Sequence, residues 1–179
     1  MRDNTIDSGG DGIRIRFRES GDTLIDNTIT CATDCVVIGE TPGRGVLKRN
    51  AATAADGASI RIDGGTGYAI ERNSATGSPK AGGIALSNVN DSTVTDNTAN
   101  ADGGFGISVS GTANVIERNT ANGNALDGIV SVGPNTLTAN TARDNGGLGI
   151  NAVAGAIDGG HNRASGNAEP QCIGVTCTP

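Results

Sequence analysis

The pattern of apolar and polar positions repeats about every 22 residues. Aligning the chain on one asparagine gives Asn4, Asn27, Asn50, Asn73, Asn97, Asn119, Asn140 and Asn162, separated by 23, 23, 23, 24, 22, 21 and 22 residues. Three positions before each of the first seven asparagines the side chain is Met1, Leu24, Leu47, Ile70, Val94, Ile116 or Leu137. Two positions after each of the eight stands Ile6, Ile29, Ala52, Ala75, Ala99, Ala121, Ala142 or Ala164. A further short alternating segment follows about ten residues downstream, as in Gly12-Ile-Arg-Ile, Ser59-Ile-Arg-Ile, Gly83-Ile-Ala-Leu, Gly106-Ile-Ser-Val and Gly128-Ile-Val-Ser-Val. A period of two over four or five residues is that of a strand with one buried face.

Each repeat therefore supplies three short strands separated by turns, and none holds the ten or more residues a helical repeat would need. Stacking is the remaining way to bury these faces. Successive coils pair strand to strand in parallel around a narrow column of Ile, Leu, Val and Ala, which predicts an all-β, single-stranded, right-handed parallel β-helix of about eight coils. At roughly 4.8 Å per coil the rod is about 35 to 40 Å long. The coils are expected over residues 1–164, with 165–179 forming a small C-terminal cap. The asparagine column is read as structural. Asparagine tolerates a left-handed bend, and stacked amides hydrogen-bond from coil to coil as an Asn ladder.

Composition supports a thin interior. Glycine numbers 29, tryptophan is absent, and Phe17, Phe105 and Tyr68 are the only aromatic residues. A net charge of −6 argues against a general nucleic-acid binder, which needs a basic surface. No apolar run approaches the roughly 18 residues of a helical membrane span, so no membrane insertion is expected. The four cysteines fall in two close pairs, and even number with local pairing points to disulfides Cys31–Cys35 and Cys172–Cys177 and thus to a secreted or periplasmic location. Zinc is the rival reading of these spacings, but pairs six repeats apart cannot share one four-ligand site.

The run Ile-x-x-Asn-Thr followed by Gly-Ile-x-Val resembles the repeat of the pectate-lyase-like superfamily, which includes polygalacturonases, alginate epimerases and NosD-type periplasmic proteins. The resemblance covers nearly the whole chain. It implies a fold strongly and a mechanism not at all, because the superfamily hosts many activities. It also implies that a polysaccharide, if bound, lies along an outer strand face. There the alternation puts Arg14, Arg16 and Arg61 outside, where guanidinium groups could hold the carboxylates of an acidic polysaccharide. Glu40 and Asp63, on adjacent coils, are the candidate carboxylate pair of a polysaccharide lyase or glycoside hydrolase. Neither an Asp-Pro-His-Asp epimerase motif nor an Arg-Ile-Lys polygalacturonase motif is present.

Loop aspartates Asp11, Asp34 and Asp56 are candidate calcium ligands. Their offsets within the repeat differ, so no cofactor is expected, with calcium the one ion these loops could take. A second reading is a non-catalytic structural module, a rigid spacer of a larger surface protein. Repeats that begin almost at Met1 leave the first coil's cross-section open, which predicts association through that end, as a homodimer or with further chain.

Overall fold

The computed structural model describes residues 1–16, 21–39, 44–153 and 155–179. Twenty-three short strands and no helix occur among them. The Gly-Ile segments form one eight-stranded parallel sheet, from Ile13–Arg16 through Val36–Gly39, Ile60–Thr66, Ile84–Asn90, Ile107–Ser110, Ile129–Val132 and Ile150–Val153 to Cys172–Ile173. The segments before each asparagine form a seven-stranded sheet, from Thr23–Ile25 to Ile157–Gly160. Those after it form two four-stranded sheets, joined into one wall by the bridges Ser74 to Thr98 and Thr98 to Thr120. All pairings are parallel. The result is a three-walled solenoid of about seven full turns with a partial eighth.

Both apolar columns expected to face inward do so beyond the first coil, whereas Met1, which heads the first of them, is 57% exposed. Leu24, Leu47, Ile70, Val94, Ile116 and Leu137 are at most 1% exposed, and Ile29, Ala52, Ala75, Ala99, Ala121 and Ala142 at most 2%. Ile6 and Ile15 on the first coil are only partly buried, because no rung covers them on one side. Residues after Ser165 continue the stack: Cys172–Ile173 pairs with Ile150–Val153, and Cys177–Thr178 pairs with Asn162–Ser165. The Asp158 carboxylate accepts the Thr176 N–H at 2.9 Å and so ties this tail to the rod.

The asparagine column is a continuous ladder. From Asn4 to Asn140 each Nδ2 donates to the Oδ1 of the asparagine on the next coil, ending at Asn162, at 2.8–3.1 Å. The same Oδ1 also accepts the backbone N–H of the preceding asparagine. From Asn50 onward the second amide hydrogen reaches a carbonyl on the previous coil, as from Asn119 to Val94 at 2.7 Å. From Asn50 to Asn140 both amide hydrogens and the amide oxygen are thereby bonded, as burial demands.

The left-handed bend expected at the asparagines lies one residue earlier. The asparagines do not carry the left-handed backbone. The residue before each one does: Asp3, Asp26, Arg49, Arg72, Asp96, Arg118, Ala139 and His161 have φ of 53–61°. The bend is thus made by an exposed or half-exposed residue, which leaves the asparagine in an ordinary conformation with its amide aimed along the axis.

The other two corners repeat the device, unanticipated from the sequence. At one, Asp102, Asn124, Asn145 and Asn167 form a ladder that ends on Gln171. At the other, Ser92, Asn114 and Asn135 form a shorter one. Here too the preceding residue is left-handed at Ala101, Gly123, Asp144, Gly166, Asp91 and Ala113. The signal was present in the 21- and 22-residue spacings of Asn124, Asn145 and Asn167. Upstream, different residues hold the same corner, which hides it.

Candidate functional site

The outer face of the eight-stranded sheet changes character along the rod. Parallel pairing puts Arg14, Val37, Arg61, Ala85, Ser108, Val130 and Asn151 in one column and Arg16, Gly39, Asp63, Ser87 in the next. The second column goes on through Ser110 to Val132 and Val153. Charge is therefore concentrated on the first three rungs, small hydroxyl and methyl side chains occupy the middle, and exposed Val132, Val153 and Ile173 lie at the far end.

The structure brings the three predicted arginines together. Arg14, Arg16 and Arg61 line a shallow depression of about 280 Å³ whose floor is Val37 and Gly39 and whose side is Asp63. Gly39 makes the depression, since a larger side chain between Arg16 and Asp63 would fill it. Arg14 and Arg61 stand in the same column two rungs apart, roughly 10 Å along the axis.

Most of this charge is already paired. Asp11 takes both Nε and Nη2 of Arg14 and accepts the Thr33 hydroxyl. These contacts, the Thr33 bond foremost and then Arg14, hold the Asp11 carboxyl below its usual range. Arg61 donates Nε to Asp63 at 2.9 Å, and its Nη1 is 3.6 Å from Asp34. Arg16 is exposed and has no ion-pair partner among the described residues. Among the described residues, Arg14 Nη1, Arg61 Nη2 and the guanidinium of Arg16 have no carboxylate partner within bonding distance.

Of the candidate carboxylate pair, Asp63 is held by Arg61, and Glu40 lies outside the described residues. Asp63 alone is therefore the only placed member of that pair. The three candidate calcium ligands serve different partners. Asp11 binds Arg14, Asp34 accepts the Ala58 N–H at 2.8 Å, and Asp56 binds Lys80 at 2.6 Å. No group of three His, Cys, Asp or Glu side chains suited to a metal ion occurs among the described residues. Both disulfides form, Cys31–Cys35 with Cα atoms 5.3 Å apart and Cys172–Cys177 at 6.1 Å.

Residues 1–168 match a family described as the right-handed β-helix region. The chain belongs to the right-handed β-helix family. No match was found among curated proteins or among solved structures. For this β-helix the family fixes the direction of coiling and the register logic of its walls, and leaves the chemistry of the outer face to its own residues. The sequence located the arginines of that face; Asp102, a loop aspartate, is instead buried, 2% exposed, within the second ladder.

Proposed function

We propose that this β-helix is an extracytoplasmic protein that binds an acidic polysaccharide along the outer face of its eight-stranded sheet. The observation that carries the reading is the depression lined by Arg14, Arg16 and Arg61. Three guanidinium groups converge there, and their outward donors match carboxylates in a bidentate way. The flat middle of the face, built from Ala85, Ser87, Ser108 and Ser110, offers no obstacle to a chain running along the axis, and Val132, Val153 and Ile173 offer apolar contact to sugar C–H faces. Two disulfides accord with an oxidising compartment. Binding is the part of the reading that the described residues support, because Asp63, the described member of the candidate carboxylate pair, is engaged by Arg61.

A rigid structural module is the second reading, favoured by a different observation. Two of the three arginines are already engaged, Arg14 by Asp11 and Arg61 by Asp34 and Asp63. The two readings part in one experiment. A panel of acidic and neutral polysaccharides is tested for binding at low and high salt, and for unsaturated or shortened products. The binding reading expects acidic chains to bind, with affinity falling as salt screens the contacts, and Arg16→Ala to weaken binding about tenfold, or about 1.4 kcal/mol. Failure of every acidic chain to bind overturns it and leaves the structural module.

A further inference from the structure

Asp102 occupies a position where its neighbours are amides. In the second ladder Asn124, Asn145 and Asn167 send Nδ2 to the carbonyls of Ala99, Ala121 and Ala142 at 3.0–3.1 Å. Asp102 is the preceding rung: its Oδ1 accepts the Ser78 N–H at 2.8 Å, and its own N–H goes to Asn124 Oδ1 at 3.0 Å. Its Oδ2 is buried and receives no hydrogen bond.

The glycine at the start of each strand locates that second oxygen. A Cβ added to Gly106, Gly128 or Gly149 would meet Asn124, Asn145 or Asn167 Nδ2 at 2.5–2.6 Å, and one added to Gly83 would meet Asp102 Oδ2 at 2.6 Å. The same Cβ on Gly83 would lie 2.9 Å from the Ala75 carbonyl oxygen. Asp102 Oδ2 therefore sits where an amide nitrogen belongs, next to the carbonyl that such a nitrogen would bind. An ionised oxygen there faces an acceptor with no donor between them, and the N–H bond at Oδ1 offsets only part of the cost of burying that charge.

We infer that Asp102 keeps its proton in the folded chain and presents it to the Ala75 carbonyl, so that one carboxyl replaces a ladder amide and makes this corner a pH-sensitive joint. The site is independent of the proposed binding face. The segments packed on it are 76–83 on the coil before and 122–128 on the coil after. Their ionisable groups are Lys80, engaged by Asp56, and Asp127, whose carboxylate binds Leu148 N and Asn151 Nδ2 on the following coil. Neither bonds to Asp102. Burial, opposed by the N–H groups of Ser78 and Gly77, pushes the Asp102 carboxyl up to about 7.

The sign follows from proton counting. Between the unfolded value of 3.8 and about 7 the folded chain holds one more proton than the unfolded chain, so stability falls as pH rises through that window. Asp102→Asn restores the amide and removes the titration. The test measures the unfolding equilibrium of both proteins from pH 4 to pH 8. The variant is expected to gain on the native protein by up to about tenfold in folding constant per pH unit across the window, with no further gain above it. A difference between the two that stays constant over pH 4–8 overturns the inference. The carboxyl carbon resonance of Asp102 in the native protein decides independently of how well the variant folds: a midpoint near 7 is expected, and one near the ordinary aspartate value overturns it.

Discussion

Replacing Asn119 by alanine removes four hydrogen bonds at once. Its Oδ1 accepts Asn97 N–H and Nδ2, and its Nδ2 donates to Val94 O and Asn140 Oδ1. The partners left behind are buried and cannot turn to water. Asn119→Ala is expected to cost about 3 kcal/mol, checked by denaturant unfolding. The ladder containing Asn119 was legible in the sequence because asparagine recurs at all eight of its positions. The ladder containing Asn124 was not, because Asp102 and Ser78 hold its earlier rungs. Further upstream Cys31 and Cys35 occupy the places that Asn124 and Gly128 have in their own coil, five and one residues before the strand. The disulfide there closes a loop within one coil, where the amide of Asn124 links its coil to the two neighbouring ones.

At the scale of the strand and its turn, each rung is set by a pair: a left-handed residue followed by a ladder residue. The left-handed position costs a side-chain-bearing residue roughly 1 kcal/mol, and nature of the side chain is free enough that Asp, Arg, Ala and His all serve. That variety hid the bend from the sequence, where asparagine was the residue best suited to it. Some of these residues add ion pairs between coils, as Arg49 does with Asp26 and Arg118 with Asp96. Ala139, with φ of 54°, adds none and isolates the backbone effect. Ala139→Gly is expected to raise stability by up to about 1 kcal/mol and Ala139→Val to lower it, read from the midpoint of thermal or denaturant unfolding. The strands themselves were legible because their period of two survives even where the loops change length.

Over the whole molecule, stability is spread along the axis by contacts between neighbouring coils, and the two disulfides act locally. Each closes a loop of only a few residues, so reduction is expected to cost about 2 kcal/mol per bridge rather than to unfold the rod. Cys31 and Cys35 are 4% and 0% exposed, whereas Cys172 and Cys177 are half-buried at the tail. Mild reduction with an alkylating label, followed by peptide mass analysis, should therefore mark Cys172 and Cys177 first. The candidate face was legible in part. Alternation placed Arg14, Arg16 and Arg61 outside, but the pairing of Arg14 with Asp11 and of Arg61 with Asp34 and Asp63 depends on loop paths and on which coils meet, and no spacing encodes that.

The ladder has a direction. Every Oδ1 looks back toward the preceding coil, and every shared Nδ2 hydrogen points on toward the next. At one end this leaves Asn4 presenting an oxygen outward, and at the other Asp158 and Gln171 meet the last amides with oxygens of their own. The rod is in this sense a vector with unlike poles. Two first coils brought face to face would set acceptor against acceptor along this edge, whereas a strand arriving with free N–H groups would extend the row without a break.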